Sequence, residues 1–369
     1  MPPNLRIAYV AHSLRSDWNN GNAHFLRGLL RALTSLGHSV TAIEPETEWS
    51  IENLQAEDLG VQALSDFSST YPDLKIRTYA PRDLTSTLLH HLKEVDVVIL
   101  HEWNPPELAD FLLELRSKLG FRLLFHDTHH RASSSPEQMR RFHLDQFDGI
   151  LAFGQVLEKI YRDRFGLDCV WTLHEAADVT QFHPLPLSEK REDVVWIGNW
   201  GEGERSAEIR EFLLDPVANS PGIRARIYGV RYPEEGLAAL QQAHVQYGGY
   251  LPNLQAPRVY ASARLTVHIP RQQYASAMVG IPTIRVFEAL ACGIPLISAP
   301  WQDTEQLFRS GDLRFVANGG EMKAALDDLL ANPSAAQEQA RRGLETVLRH
   351  HTCEHRARQL TSICEDLLS

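Results

Sequence analysis

Short apolar runs alternate with longer stretches in which apolar residues recur every three or four positions, and the alternation continues along most of the chain. Residues 5–11, LRIAYVA, form the first run, and a polar segment, HSLRSDWNNGN at 12–22, follows. Ala23, Phe25, Leu26, Leu29, Leu30, Leu33 and Leu36 then repeat at helical spacing, and Gly37 stops them. Residues 39–43 are strand-like again. Strand, polar loop, helix, glycine and strand predict a βαβ unit, a parallel arrangement with ligands at the C-terminal ends of its strands. The same pattern predicts strands over 74–79, 95–100, 121–125, 149–153 and 169–173, with helices over 84–93, 105–119 and 156–165. Ser135, Pro136 and Gln138 have the types wanted at N-cap, N1 and N3 of another helix.

Residues 184–193, PLPLSEKRED, break the alternation with two prolines and a run of mixed charge, the composition of a linker. The alternation then restarts, with strands over 194–197, 225–228, 245–247, 265–269, 294–297 and 313–317. Helices are predicted from 205, over 233–243, 256–263 and 303–308, and from 321 onward. The expected organisation is α/β, with two doubly wound parallel-sheet domains at 1–183 and 194–350 and a C-terminal helix at 351–369. Ligands of such pairs favour the cleft between domains.

The stretch at 280–300, GIPTIRVFEALACGIPLISAP, is the densest in signals. Pro282 suits the first turn of a helix, Ile284, Phe287 and Ala291 share its apolar face, and Gly293 suits its end. Arg285 and Glu288, three apart, lie on one face near the helix start. A helix N-terminus behind a Gly–Pro turn suits a diphosphate, and a carboxylate one turn further suits a ribose hydroxyl. An ordinary βα unit with a surface ion pair would show the same residues.

Composition narrows the function. The chain has 369 residues, 43% hydrophobic and 22% charged, with a formal net charge of −11. That is enough apolar material for sizeable cores, and the acidic balance argues against general nucleic-acid binding. Cys169, Cys292, Cys353 and Cys364 show no metal spacing or disulfide framework, so reduced thiols and a cytoplasmic location are expected. The N-terminus does not read as a signal peptide, and no window approaches the ~18–20 apolar residues of a membrane span.

Three clusters carry candidate chemistry. His126, Asp127, Thr128, His129 and His130 end one predicted strand, where they suit acid–base work, a hydrogen bond to phosphate, a metal, or a structural polar corner. His101, Glu102, Trp103 and Asn104 end another and suit acceptor contact, or a loop in which the Trp covers the core. Gly198, Asn199, Trp200 and Gly201 with Arg205 form a glycine-containing turn before a helix, a moderate phosphate-loop signal that is not G-x-G-x-x-G. The turns bearing Gly229 and Arg231, and Tyr250 and Leu251, suit the walls of a base pocket or are ordinary turns. His350, His351, Cys353 and His355 read as solvated helix-end residues before they read as a metal site.

Taken together, IPTIRVFEALACGIPLISAPWQD, WIGNWG, GGYLPNLQAPRVYASARLTVHIP and HEAADVTQFHP resemble the ordered landmarks of the GT-B glycosyltransferases, and most nearly the CgeB-like, spore-maturation-type group. The resemblance implies two Rossmann-like domains, a nucleotide diphosphate sugar held mainly by the second, no metal or cofactor, and a C-terminal helix crossing back to the first. It implies that Glu288 holds the donor ribose, that Arg285 and the backbone at Gly280, Thr283 and Ile284 meet the diphosphate, and that Arg205 adds charge. His126, with Asp127, would assist transfer. His12, Asn22, Glu102, Trp103, Asn104 and His129 would face the acceptor. The family's E-x7-E motif has Gly280 in place of its first glutamate, which leaves sugar identity and retention of configuration open. A nucleotide-sugar epimerase or hydrolase, or a non-catalytic nucleotide-sugar binding protein, fits the same architecture.

Overall fold

The computed structural model describes residues 4–186, 190–201 and 203–369. The chain divides into two compact units, Met1–Glu175 with Cys353–Ser369, and Ala176–Thr352. The first contains β1 (Arg6–Val10), β2 (Ser39–Pro45), β3 (Ile76–Tyr79), β4 (Val97–His101), β5 (Arg122–Asp127), β6 (Gly149–Ala152) and β7 (Val170–Thr172), in the order β3-β2-β1-β4-β5-β6-β7. The second contains β8 (Glu192–Ile197), β9 (Ala225–Tyr228), β10 (Gln246–Tyr247), β11 (Ala263–His268), β12 (Leu296–Ser298) and β13 (Arg314–Phe315), in the order β10-β9-β8-β11-β12-β13. Neighbouring strands pair in parallel in both sheets. The central strands read as continuous apolar runs because helices cover both their faces: every residue of β4 and of β8 is buried.

Strand order reverses between β1 and β4 in the first unit and between β8 and β11 in the second. Such a switch point parts the loops leaving the two strands and opens a crevice at their C-terminal ends. Register then decides which polar residues meet there. His101 on β4 pairs with His126 on β5, and His268 on β11 pairs with Ser298 on β12.

The last helix, Cys353–Leu368, packs in the first unit, where Ala357, Leu360 and Cys364 are fully buried. His38 Nε2 lies 2.9 Å from Thr361 Oγ1, and Arg356 Nε donates to the His174 carbonyl at 2.9 Å.

The structure departs from the sequence pattern in four places. The charged end of the 184–193 segment enters a sheet: Glu192 and Asp193 open β8, where Glu192 pairs with Arg226 and Asp193 with Arg224 and Arg264. Residues 187–189 of that segment lie outside the described residues. Pro282 does not open its helix, which runs Ile284–Ala291 with Thr283 at the N-cap. Residues 303–308 form turns instead of a helix, because the Asp303 carboxylate takes the amides of Leu307 and Phe308 at 2.9 and 2.8 Å. Two further helices, Trp49–Ala56 and Gly60–Thr70, stand between β2 and β3; the Glu48 side chain caps the first by accepting from Ser50 and Ile51.

Candidate functional site

In the second unit the loops at the switch point gather arginines. Gly201 has φ of +89°, and a Cβ there would lie 2.6 Å from Arg205 Cγ, so glycine is what lets that side chain fold back against its own loop. Arg205 Nε and NH2 donate to the Asn199 carbonyl at 3.0 and 2.8 Å, and NH1 reaches the Ile269 carbonyl at 3.4 Å. These bonds occupy three of the five N–H groups of a guanidinium. The cation also sits 5.1 Å from the Trp196 ring centroid. Among the described residues Arg205 forms no ion pair, whereas Arg271 pairs with Glu204 and Arg285 with Glu288. Burial, followed by the charges of Arg271 and Arg285, pulls Arg205 down to about 9. The edge therefore holds a crowded positive charge with donors to spare.

The helix Ile284–Ala291 starts beside this cluster without a side-chain cap. Thr283 Oγ1 is engaged by His268 Nε2 at 3.1 Å, and His268 Nδ1 lies 2.9 Å from Ser298 Oγ. Burial and then Arg205 hold His268 near 3, so its ring is neutral at pH 7. No side chain caps this start, and Val286 N donates to the Thr283 carbonyl at 3.0 Å; the helix dipole favours an anion there. One turn on, the fully buried Glu288 accepts from Arg285 and, at 3.4 Å, from Asn253 Nδ2.

Gly280 has φ of +100°, and a Cβ there would lie 2.3 Å from Thr304 Oγ1 and 3.5 Å from Glu305 Oε1. A side chain at 280 has no room, and the Glu305 carboxylate stands beside the position instead. The remaining predicted donor residues divide. Asn199 Oδ1 accepts from Val230 N at 3.0 Å, the Gly198 carbonyl accepts from Tyr232 Oη at 2.8 Å, and the Gly229 carbonyl from Tyr247 Oη at 2.7 Å. These contacts hold the loops after β8 and β9 together. Arg231 is exposed on a left-handed backbone, φ 60°, an uncommon conformation for a side-chain-bearing residue. Tyr250 and Leu251 are half-buried. The side chains of Trp200 and Ile284 are buried, 1% and 5% exposed: Trp200 lies in one core cluster with Ile209, Phe212 and Leu240, and Ile284 offers a ligand its backbone and not its side chain.

In the first unit the corresponding edge is nearly neutral. The 12–22 loop is held rigidly from beneath. Arg27, fully buried, donates to the carbonyls of Leu14 and Arg15 at 2.7 and 3.2 Å, and Glu44 accepts from Leu14 N at 2.5 Å and pairs with Arg15. His12 at the start of this loop stacks on His101, with centroids 5.6 Å apart. His126 lies 5.9 Å from His101 and is fully buried. Burial first holds His12, His101 and His126 below the usual imidazole range, followed by His101 for His12 and His126 and by Arg131 for His101, which lies near 3. All three are uncharged at pH 7. His12 Nδ1, His101 Nδ1 and His126 Nε2 are buried and make no hydrogen bond.

Beneath them Thr128 Oγ1 donates to Glu102 Oε1 at 3.1 Å and accepts from Asn22 Nδ2 at 2.9 Å. Asp127 accepts from Tyr161 Oη at 2.5 Å and from His129 N at 2.9 Å. Burial pushes both carboxyls up to about 7, and Glu102 adds to the rise at Asp127. Asn104 Nδ2 is spent on the carbonyls of Val10 and His101, each at 2.9 Å. Asp127 and Asn104 thus anchor the edge instead of facing solvent. Trp103 does face solvent, 39% exposed, with Arg131 4.5 Å from its ring and His129 edge-on at 5.0 Å. A flat aromatic surface flanked by donors suits a sugar face.

Sequence reasoning missed Tyr9, Arg27, Glu44 and Tyr161 in the first unit and Glu204, Asn253, His268 and Arg271 in the second. The polar ends of the apolar runs carried a signal for His268, in LTVHIP, and for Tyr9, in LRIAYVA. Among the described residues no three His, Cys, Asp or Glu side chains group as a metal site requires, and no helix is long and apolar enough to cross a membrane.

Residues 205–362 match a family model described as glycosyl transferase-like. No curated protein matches the chain in sequence. In fold it is similar to HepE of Anabaena, solved with UDP and glucose, at TM-score 0.71 and 11% identity over 97% of this chain and 98% of that one. Sucrose-phosphate synthase of Thermosynechococcus elongatus superposes at TM-score 0.66 with 16% identity, covering 98% and 99%. An alpha-glucosyltransferase solved with UDP and a 13-mer DNA gives 0.70 with 11% identity, covering 98% and 100%. The two parallel sheets of this chain are therefore those of the GT-B architecture.

Proposed function

With a glycosyl transferase-like domain over residues 205–362 as the premise, we propose that the chain transfers a sugar from a UDP-sugar to an acceptor hydroxyl. The observation that carries the reading is Arg205, a half-buried guanidinium with no ion-pair partner among the described residues, beside Arg271, Arg285 and an uncapped helix start. A diphosphate satisfies all of these at once. Glu288 reaches the ribose hydroxyls. The preference for UDP rests on the ligands of HepE and the alpha-glucosyltransferase.

In the proposed reaction the bond between the anomeric carbon and the β-phosphate oxygen breaks, and its electron pair stays on UDP. A new bond forms to the acceptor oxygen, and the hydroxyl proton leaves with the diphosphate. The arginines stabilise the charge that grows on the leaving group, a preorganised electrostatic effect that takes the place of a metal ion. Trp103 and the histidine edge receive the acceptor. The spore-maturation-type subgroup, retention of configuration and a cytoplasmic location are narrower readings of the same kind.

A thermal-stability screen against UDP, GDP, ADP, TDP and their sugars tests the donor site. Saturating UDP, at about 100 times its Kd, stabilises by about 2.7 kcal/mol. If none of the nucleotides raises the melting temperature, the donor reading fails. UDP-sugar consumed equally with and without every acceptor tried points to a hydrolase or epimerase, and binding without any turnover points to a non-catalytic protein.

A further inference from the structure

Strand order places three loops side by side at the C-terminal edge of the second sheet, those leaving β8, β11 and β12. The first carries Arg205, and the second carries Gly280 and the helix start behind it. The third carries Glu305, so an acidic group ends a row that a basic one begins. Asp303 shapes this third loop. Its carbonyl accepts from Gln306 N at 3.2 Å, and its carboxylate from Leu307 N and Phe308 N at 2.9 and 2.8 Å. Thr304 and Glu305 are the central residues of the turn so closed. Gln306 after them is left-handed, with φ of 54°. That conformation is uncommon for a residue with a side chain, and backbone outliers of this kind gather at ligand sites. The turn holds Glu305 Cγ and Oε1 3.5 Å from where a Cβ of residue 280 would stand. Gly280 cannot itself bear a carboxylate: its φ of +100° strains any other residue, and Thr304 Oγ1 fills the space. The carboxylate beside the β11 loop is supplied by the neighbouring loop instead.

We propose that Glu305 selects the sugar of the donor by accepting hydrogen bonds from its hydroxyls. The proposal rests on the UDP-sugar reading above. A phosphate gains nothing from a carboxylate, so the diphosphate belongs at Arg205 and the helix start. The group that reaches Glu305 has to bring hydrogen-bond donors of its own. A neutral sugar brings hydroxyls, each able to make a charge-assisted bond to the carboxylate. A sugar that carries a carboxylate meets like charge there and is rejected. The donor class is therefore a UDP-sugar with a neutral, hydroxyl-bearing ring, and Glu305 is what excludes uronic acids.

The test is titration calorimetry of the full chain with UDP, UDP-glucose, UDP-galactose, UDP-N-acetylglucosamine and UDP-glucuronate, on wild type, Glu305→Gln and Glu305→Ala. Wild type should bind the tightest of the neutral sugar donors at least about tenfold more tightly than UDP-glucuronate. Glu305→Gln should weaken that neutral donor by about tenfold and strengthen UDP-glucuronate by a similar factor, with UDP kept within about twofold. Glu305→Ala should weaken the neutral donor further. Opposite shifts for two sugars on one nucleotide are not produced by a Glu305 that merely supports its loop, and retained UDP affinity shows that the site is folded. A variant in which UDP and every UDP-sugar shift together, or in which the neutral donor is unaffected, overturns the proposal and leaves the UDP-sugar reading standing. A wild type that takes UDP-glucuronate as tightly as the neutral donors overturns it as well, and that comparison holds even if both variants misfold. If wild type binds neither UDP nor any UDP-sugar, the donor reading fails and the proposal fails with it.

Discussion

Each unit ends its central strands in polar side chains, and the two sets are left with opposite needs. The second unit's edge has surplus positive charge: three arginines, two with carboxylate partners, and a helix start whose cap is taken up by His268. The first unit's edge has no surplus charge. Its three histidines are neutral, its two buried carboxyls are drawn toward protonation, and the buried atoms without a hydrogen bond are single ring nitrogens, Glu102 Oε2 and Arg131 Nε. Surplus charge calls for an ion, and surplus donors and acceptors call for a neutral polar group. A nucleotide diphosphate and a sugar hydroxyl are those two kinds of group.

The contrast breaks first, if at all, at Arg205. Arg205→Ala should weaken UDP binding by about 100-fold, about 2–3 kcal/mol, in titration calorimetry. His126→Ala should lose turnover yet leave UDP affinity within about twofold, since a neutral residue outside the donor contacts adds independently. Equal loss of UDP affinity in the two variants would end the division of labour. Next comes Glu288→Ala, expected to reduce nucleotide affinity by about tenfold through loss of a bond to ribose. Unchanged affinity would remove Glu288 from the donor site and leave it a partner of Arg285 and Asn253.

The smallest effect concerns pH. Glu102 is raised from 4.5 to about 7, so the folded state holds its proton where the unfolded state releases it. That group costs stability increasingly as pH rises from 4.5 through 7, and the cost is complete above 7. The histidines, lowered from 6.5, act in the opposite direction: the unfolded chain takes up protons below about 6.5, and stability falls as pH drops further. Glu102→Gln imitates the protonated carboxyl. Its melting temperature relative to wild type should therefore climb between pH 5 and pH 8, by about 1–3 kcal/mol in stability terms. A flat difference would show that Arg131 fully compensates the carboxylate.

The strand–helix alternation was legible because strands buried on both faces must be apolar throughout. β4 and β5 could be read, as 95–100 and 121–125, to within two residues of Val97–His101 and Arg122–Asp127. The helices at Trp49–Ala56 and Gly60–Thr70 could not, since each buries only three residues and the spacing between them is thin. Arg285 and Glu288 were legible as neighbours from their spacing alone. Trp200 was grouped with a phosphate-loop turn by its place among glycines, and only three-dimensional packing puts its side chain in one core cluster with Ile209 and Phe212. Tyr9, Arg27 and Glu44 were out of reach for a related reason. Their partners lie 117, 12 to 13 and 29 to 30 positions away, and nothing local marks a buried polar side chain that serves a distant loop.

The helix Cys353–Leu368 has a consequence for how the chain is made. The first unit is discontinuous: it takes residues up to Glu175 and then waits for the last seventeen, Cys353–Ser369. During synthesis from the N-terminus the intervening Ala176–Thr352 is complete before the unit that precedes it. Until residues 353–369 have been made, the surface that will receive Ala357, Leu360 and Cys364 stays bare, so the nascent first unit is the part most in need of protection from aggregation. A premature stop anywhere in the final helix would spare the second unit and strand the first.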